Sequence, residues 1–374
     1  MSRIIDLTEH SRAYAARLLA ETGHDVIRVE PPEGDSLRRL GPYLGGKPGL
    51  ETGSYHQFMN AGKRSLTLNL KSPACRKIFL DLVKSADAMI ANLPLPIDEE
   101  ILLEARPNLV LVKIADGEPE LCAVARSGLL AITGHPRQRP VLLGGHVIYA
   151  AIGLHVAVAA AAALYVLQQT AEGQVVSVSA QQCLQGLAEQ AMVAYTSTGK
   201  VTERRGYRGA VTAVSGAFPC ADGYWMISVP HTPEGWVKFM DWVQDPVLME
   251  DKSLLDEAER NAKKDLILDR LEQWSKKFKK AEIVAEAQRR HIPASPVSTA
   301  FDLAQDPQLI ARGFLTEIDH PLLGRILFPV GAIASVLGRK LAPAPGLGRH
   351  SAEILAELGY SAADHQALLE TMAM

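Results

Sequence analysis

At 374 residues the chain is longer than one hydrophobic core comfortably supports, so two domains are expected. A net charge of −3 and a pI near 6.4 argue against nucleic acid or an anionic membrane surface as the main partner. The four cysteines (Cys75, Cys122, Cys183, Cys220) form no CxxC or CxxH spacing, which excludes the usual structural zinc site. They fit a reducing cytosol, and MSRIIDLTEH lacks a signal peptide's apolar run, so a cytoplasmic location is expected.

Residues 4–7 read as a short strand and 11–22 as a helix with Ala15, Leu18 and Leu19 on one face. Gly23 ends that helix, and 25–29 is the next strand, broken by Pro31 and Pro32. Arg28, Glu30 and the loop 31–39 leave at a strand end, where ligands of parallel sheets usually sit. Lys63 and Arg64 precede a strand over 65–70, and Lys71 follows it. A helix over 74–85, a strand over 88–91 ending at Asn92, and a strand over 109–114 continue the alternation. The pattern predicts an α/β fold, an open parallel sheet with helices on both faces. No GxGxxG follows the first strand, so no dinucleotide site is read.

The stretch 141–179 holds a Gly-Gly turn, an apolar helix of about four turns, a stop at Gly173 and a β-branched strand over 175–178. Its apolar run is long enough to span a bilayer. Yet it contains Gly153 and His155, is rich in Ala rather than Leu, and lacks a basic flank with an aromatic belt, which argues for a buried core helix. From Leu121 to Ala171 there is no Asp or Glu.

Beyond it, 181–197 reads as one helix, and Asp222-Gly223 turns a hairpin whose second strand is 224–229. Helices are expected over 235–243 and 266–279, and Ser351 is the expected cap of a C-terminal helix that packs back on the first domain. The domains expected are a large one over 1–205, a small α+β domain over 206–335 and a returning segment over 336–374. His291, His320 and His350 read as surface residues in loops.

Together these motifs carry a resemblance. DLTEHSRAYAARLLAETGHDVIRVEPPEGDSLRRLGP, NAGKRSLTLNLKSP, Asn92, SGLLAITG, GLHVAVAAAAAL with TAEGQVVSVS, FPCADGYWMISV and LGRHSAEILAELGY stand in this order from residue 4 to 360. The chain thereby resembles the class III CoA-transferases, the CaiB/BaiF group that also contains α-methylacyl-CoA racemases. The resemblance implies a Rossmann-like large domain, a smaller domain on two long linkers, and interlocked dimers of ring-shaped protomers. It implies binding of CoA thioesters as substrates, with no tightly bound cofactor and no metal. Leu68, Lys71 and Asn92 fall on positions that contact CoA in such enzymes, and Arg28, Lys63 and Arg64 are nearby candidates for its phosphates.

In these enzymes an Asp carboxylate attacks the donor thioester, forms a mixed anhydride and then an aspartyl-CoA thioester, and the acceptor acid reverses the sequence. The resemblance puts that Asp four residues before the Gly that opens the Ala-rich helix. Here that Gly is Gly153, and the position holds Tyr149. A phenol cannot be the acid component of a mixed anhydride, and no slip of register supplies a carboxylate. Relative to the resemblance, ANLPLPIDEE has also lost an Arg and ADGEPELCAVARSG is shortened.

The first expectation is a non-nucleophilic subunit of a CoA-transferase, interlocked with an Asp-bearing paralogue or with a copy of itself. A second is an acyl-CoA racemase, lyase or hydrolase using His146 and Tyr149, with His155 read as a core or interface histidine. A third is a homomeric transferase taking its carboxylate from Asp116, Glu118 or Glu120.

Overall fold

The computed structural model describes all residues except 116–118, 210–211, 322–323, 332, 334–336, 339 and 372–374. Six strands, β1 (Arg3–Leu7), β2 (Asp25–Glu30), β3 (Arg64–Thr67), β4 (Ala88–Asn92), β5 (Val110–Ala115) and β6 (Gln174–Ser179), form one parallel sheet. Their order is β3-β2-β1-β4-β5-β6, so the chain reverses direction across the sheet between β1 and β4. The α/β reading therefore holds. One core layer fills the space between the sheet and the helix Pro73–Ser85, with Phe79, Leu82, Met89 and Leu111 fully buried. Ile354 and Leu355 of the C-terminal helix Ser351–Glu357 belong to the same layer.

The long helix is longer than the sequence suggested, running over Val147–Thr170, 24 residues or nearly seven turns. Among the described residues it is the one helix long and apolar enough to cross a membrane. Its Ile148, Ile152, Val156, Ala160 and Leu164 are buried, at i, i+4 spacing, and the helix packs on β5, β6 and the helix Tyr14–Glu21. Gly153 sits at that last crossing. A Cβ there would lie 3.1 Å from Tyr14 Cβ and 3.2 Å from the Ala15 nitrogen.

Two compact units divide the chain: Met1–Leu129, Leu143–Gln190 and Asp306–Met374 form one; Leu130–Leu142 and Ala191–Gln305 the other. These limits differ from the 205 and 335 boundaries expected. Residues 130–142 join the second unit through bonds such as Gly206 N to Gly134 O. The hairpin β10 (Leu315–His320) and β11 (Gly324–Pro329) belongs to the first, because Phe328 and Val330 bury against Ala61 and Leu341. The second unit holds a three-stranded sheet of β7 (Ser215–Cys220), β8 (Gly223–Ser228) and β9 (Ala294–Pro296). Its core is aromatic, around Phe218, Trp225, Trp236 and Phe239.

Several local expectations need correction. The helix over 181–197 is two helices, Ala180–Leu187 and Glu189–Thr198, parted at Ala188. The helix over 266–279 ends at Ser275. Ser351 is the first helical residue rather than the cap, and its hydroxyl accepts from Thr67 N. His320 is buried at a strand end, and His350 Nδ1 accepts from Ser65 N.

Candidate functional site

Parallel sheets place ligands at the carboxyl ends of their strands, beside the point where strand order reverses. Here that point lies between β1 and β4, and Asn92 marks it: its Oδ1 accepts from Glu9 N, joining the two strand ends. Asn92 is 9% exposed, and its Nδ2 is buried without a hydrogen-bond partner among the described residues. A cavity of about 990 Å³ opens at the same edge, formed by the ends of β1, β2 and β3. Leu68 and Lys71, two of the residues that the resemblance put against CoA, line it, and so does Arg76, which the sequence reading did not name; Asn92 is not part of the lining. Lys71 and Arg76 are exposed, and Arg76 Nε donates to Leu70 O. Among the described residues they are the cations of the lining, which also holds the acids Glu9, Glu30 and Glu33.

The other basic candidates are not available to phosphate. Lys63 is buried, and its Nζ donates to Asp6 at 2.7 Å, Ala13 O at 2.9 Å and Asn60 at 2.9 Å, which uses all three protons. Arg28 is buried between Asp6 and Asp35. Arg64 lies at the surface edge but is held by Glu353, Glu357 and Asp25. All three stabilise the fold around the strand ends, and burial and pairing set them apart from the exposed Lys71 and Arg76. Burial would raise the Asp6 carboxyl, but Lys63 and Arg28 outweigh it and bring it down to about 2. Glu30 is likewise brought to about 2 against its burial, by the hydrogen bonds and charge of Arg38.

A second group of side chains gathers at the start of the long helix. Tyr149 lies in its first turn, and His146 just before it takes a left-handed conformation (φ 54°) after Gly144-Gly145. The two rings stack at 6.2 Å, and the Tyr55 ring meets His146 edge-on at 4.8 Å. Glu120, first residue of the helix Glu120–Arg126, brings a carboxylate oxygen to 3.5 Å from His146 Nδ1. Arg12 stands over the Tyr149 ring at 5.6 Å. Burial and the Glu120 charge raise the Tyr149 pKa, against Arg12, so the phenol stays protonated at neutral pH.

The structure thus brings His146 and Tyr149 together, with Glu120, Arg12 and Tyr55 around them. Asp116 and Glu118 lie outside the described residues. His155 is exposed, with Nδ1 at 2.9 Å from Ala151 O of its own helix, and takes no part. Tyr55 and Arg12 carried no sequence signal: each is brought to residue 149 by packing between distant segments. No group of three or more His, Cys, Asp or Glu able to hold a metal occurs among the described residues.

Comparison with known proteins gives this geometry a context. Residues 2–351 match the family model described as CoA-transferase family III. The chain is 30% identical to the succinyl-CoA:(R)-benzylsuccinate CoA-transferase subunit BbsE of Thauera aromatica, over 98% of this chain and 96% of that one. It is 28% identical to the succinyl-CoA:mesaconate CoA-transferase of Haloarcula hispanica, over 96% of this chain and 95% of the relative. A crystal structure of a CaiB/BaiF family protein from Brucella suis superposes with a TM-score of 0.82 at 26% identity, covering 96% of this chain and 98% of that one. With the matching parallel sheet, these likenesses establish that the chain belongs to CoA-transferase family III.

Proposed function

We propose that this chain is the non-nucleophilic subunit of a heteromeric CoA-transferase, and that an Asp-bearing paralogue supplies the acyl-carrying carboxylate. The observation that carries this reading is Tyr149. It occupies the helix position where the resemblance expects the nucleophile, and its phenol is held protonated in a half-buried pocket. No acid stands on the long helix to replace it. Two relatives support a subunit role by name: BbsE of Thauera aromatica, and the succinyl-CoA–L-malate CoA-transferase alpha subunit of Chloroflexus aurantiacus.

The substrates proposed are an acyl-CoA and a carboxylic acid, with succinyl-CoA, named for both of those relatives, as the donor to test first. CoA would lie at the strand ends, with Lys71 and Arg76 on its phosphates, Leu68 against its apolar part and the unpartnered Asn92 amide as a further donor. Four free cysteines and no disulfide suit work in the reducing cytosol.

Glu120 favours one other reading. Its carboxylate lies beside His146 and Tyr149, so it could serve as nucleophile, or with His146 as a proton-transfer pair, in a chain that works alone. Native mass spectrometry separates the two readings when the chain is expressed alone and with an Asp-bearing paralogue, each sample assayed for CoA transfer. Transfer only in the mixed sample, from a complex containing both chains, is the expected result. Transfer by the chain alone that is lost in Glu120→Gln would overturn the subunit reading and install Glu120 as the carboxylate.

A further inference from the structure

The large unit contains a second cavity that the CoA site does not use. It measures about 330 Å³ and is lined chiefly by Leu44, Tyr55, Phe58, Ile326, Leu327 and Phe328. Among the described residues no charged side chain takes part in the lining. Its polar members are Ser54, the phenol of Tyr55 and Gln57, whose amide nitrogen is committed to Glu51 O at 2.8 Å.

The wall is rigid for a clear reason. The Arg17 guanidinium lies 3.8 Å from the Phe58 ring centroid and 5.5 Å from that of Phe328, and it donates to Phe58 O and Pro329 O. Arg17 is buried and paired with Glu21 at 2.9 Å, so its charge is satisfied behind the aromatic wall and not offered to the cavity.

Tyr55 links this cavity to the position of the missing nucleophile. Its ring is part of the lining, and its edge contacts His146, which stacks on Tyr149. Tyr55 is the one residue common to the cavity lining and the aromatic group, so a ligand held beside His146 and Tyr149 would have this cavity as its apolar neighbour. A carboxylate there would lose its water and find no cation, whereas an aryl or branched alkyl group gains by burial. The size fits, since a cavity of about 150 Å³ holds a benzene molecule.

We propose that this cavity is the subsite for an apolar side group, aryl or branched alkyl, of the acid or acyl chain handled by the assembly. Its part in transfer rests on the function proposed above; the binding does not.

The test is saturation-transfer NMR with 3-phenylpropionate and with succinate as separate probes, on this chain alone and on its complex. Leu327→Lys is the companion variant: Leu327 is 51% exposed at the rim, so a lysine there charges the cavity without entering the core. The expected result is transfer to the phenyl protons, weakened at least tenfold in the variant while its circular dichroism is unchanged, and a succinate signal that the variant leaves as it was. No phenyl signal at millimolar concentration, a phenyl signal indifferent to the variant, or a succinate signal lost with it would overturn the proposal. Loss of the phenyl signal when the complex forms would also overturn it, by showing that a partner chain covers this face. Phenyl binding without transfer in any mixture would instead sink the transferase reading and leave the subsite standing. Transfer without phenyl binding would sink the subsite alone.

Discussion

Lys63 and Lys71 are both lysines beside the same short strand, yet the fold gives them opposite roles. Lys63 is enclosed with Asp6, and removing its charge leaves a buried carboxylate without its main partner. Lys63→Met is expected to destabilise the protein by about 3–5 kcal/mol, read as a shift in the urea midpoint. Lys71→Ala and Arg76→Ala should leave that midpoint unchanged, because both side chains are exposed, but each should weaken CoA binding about tenfold by calorimetry. A destabilised Lys71→Ala, or one that binds CoA normally, would remove the lysine from the proposed site. In sequence the two are indistinguishable. Register separates the basic residues: β1 and β2 pair Asp6 with Arg28, and that brings one buried charge onto another.

At the scale of elements, the crossing of the long helix over the helix Tyr14–Glu21 fixes where Tyr149 sits, and Gly153 permits the close approach. Gly153→Val puts methyl groups where Tyr14 and Ala15 already stand. It should cost about 1–3 kcal/mol in thermal or urea unfolding through overpacking. It should also disturb the aromatic group of Tyr55, His146 and Tyr149, visible as an altered near-ultraviolet circular dichroism spectrum. A variant as stable as the parent would show that the two helices can part at little cost. The strands and the apolar helix were legible because periods of two and 3.6 are local properties of the chain. The ends of elements were not, since Ser275 ends its helix without a Gly or Pro to announce it, and Gly186 lies inside the helix that stops a residue later.

For the whole molecule, acid sensitivity follows from the buried ion pairs. Asp6 and Glu30 sit at about 2 in the folded protein, whereas unfolded carboxyls titrate near about 4. A depressed folded value gives stability that is present above the unfolded value and lost as pH falls through it toward the folded one. Each carboxylate should contribute about 2–3 kcal/mol near neutrality. The urea midpoint is therefore expected to begin falling below about pH 6.5, where buried His56, held at about 3, resists protonation, and to fall most steeply between about pH 5 and 2. A midpoint that held constant down to pH 3 would contradict the assignment of these two groups.

The sequence by itself determined the α/β class, the order of the sheet-forming segments and the absence of any acid on the long helix. Each of these depends on residue type and local spacing, which the chain carries wherever it folds. Only the tertiary structure decided which cations are free at the strand ends and which are locked in ion pairs. It alone put Glu120 beside His146, and Tyr55 both against His146 and in the lining of an apolar cavity. Those outcomes depend on burial and on charges brought together from distant segments, and both are set by how the strands register and how the helices cross.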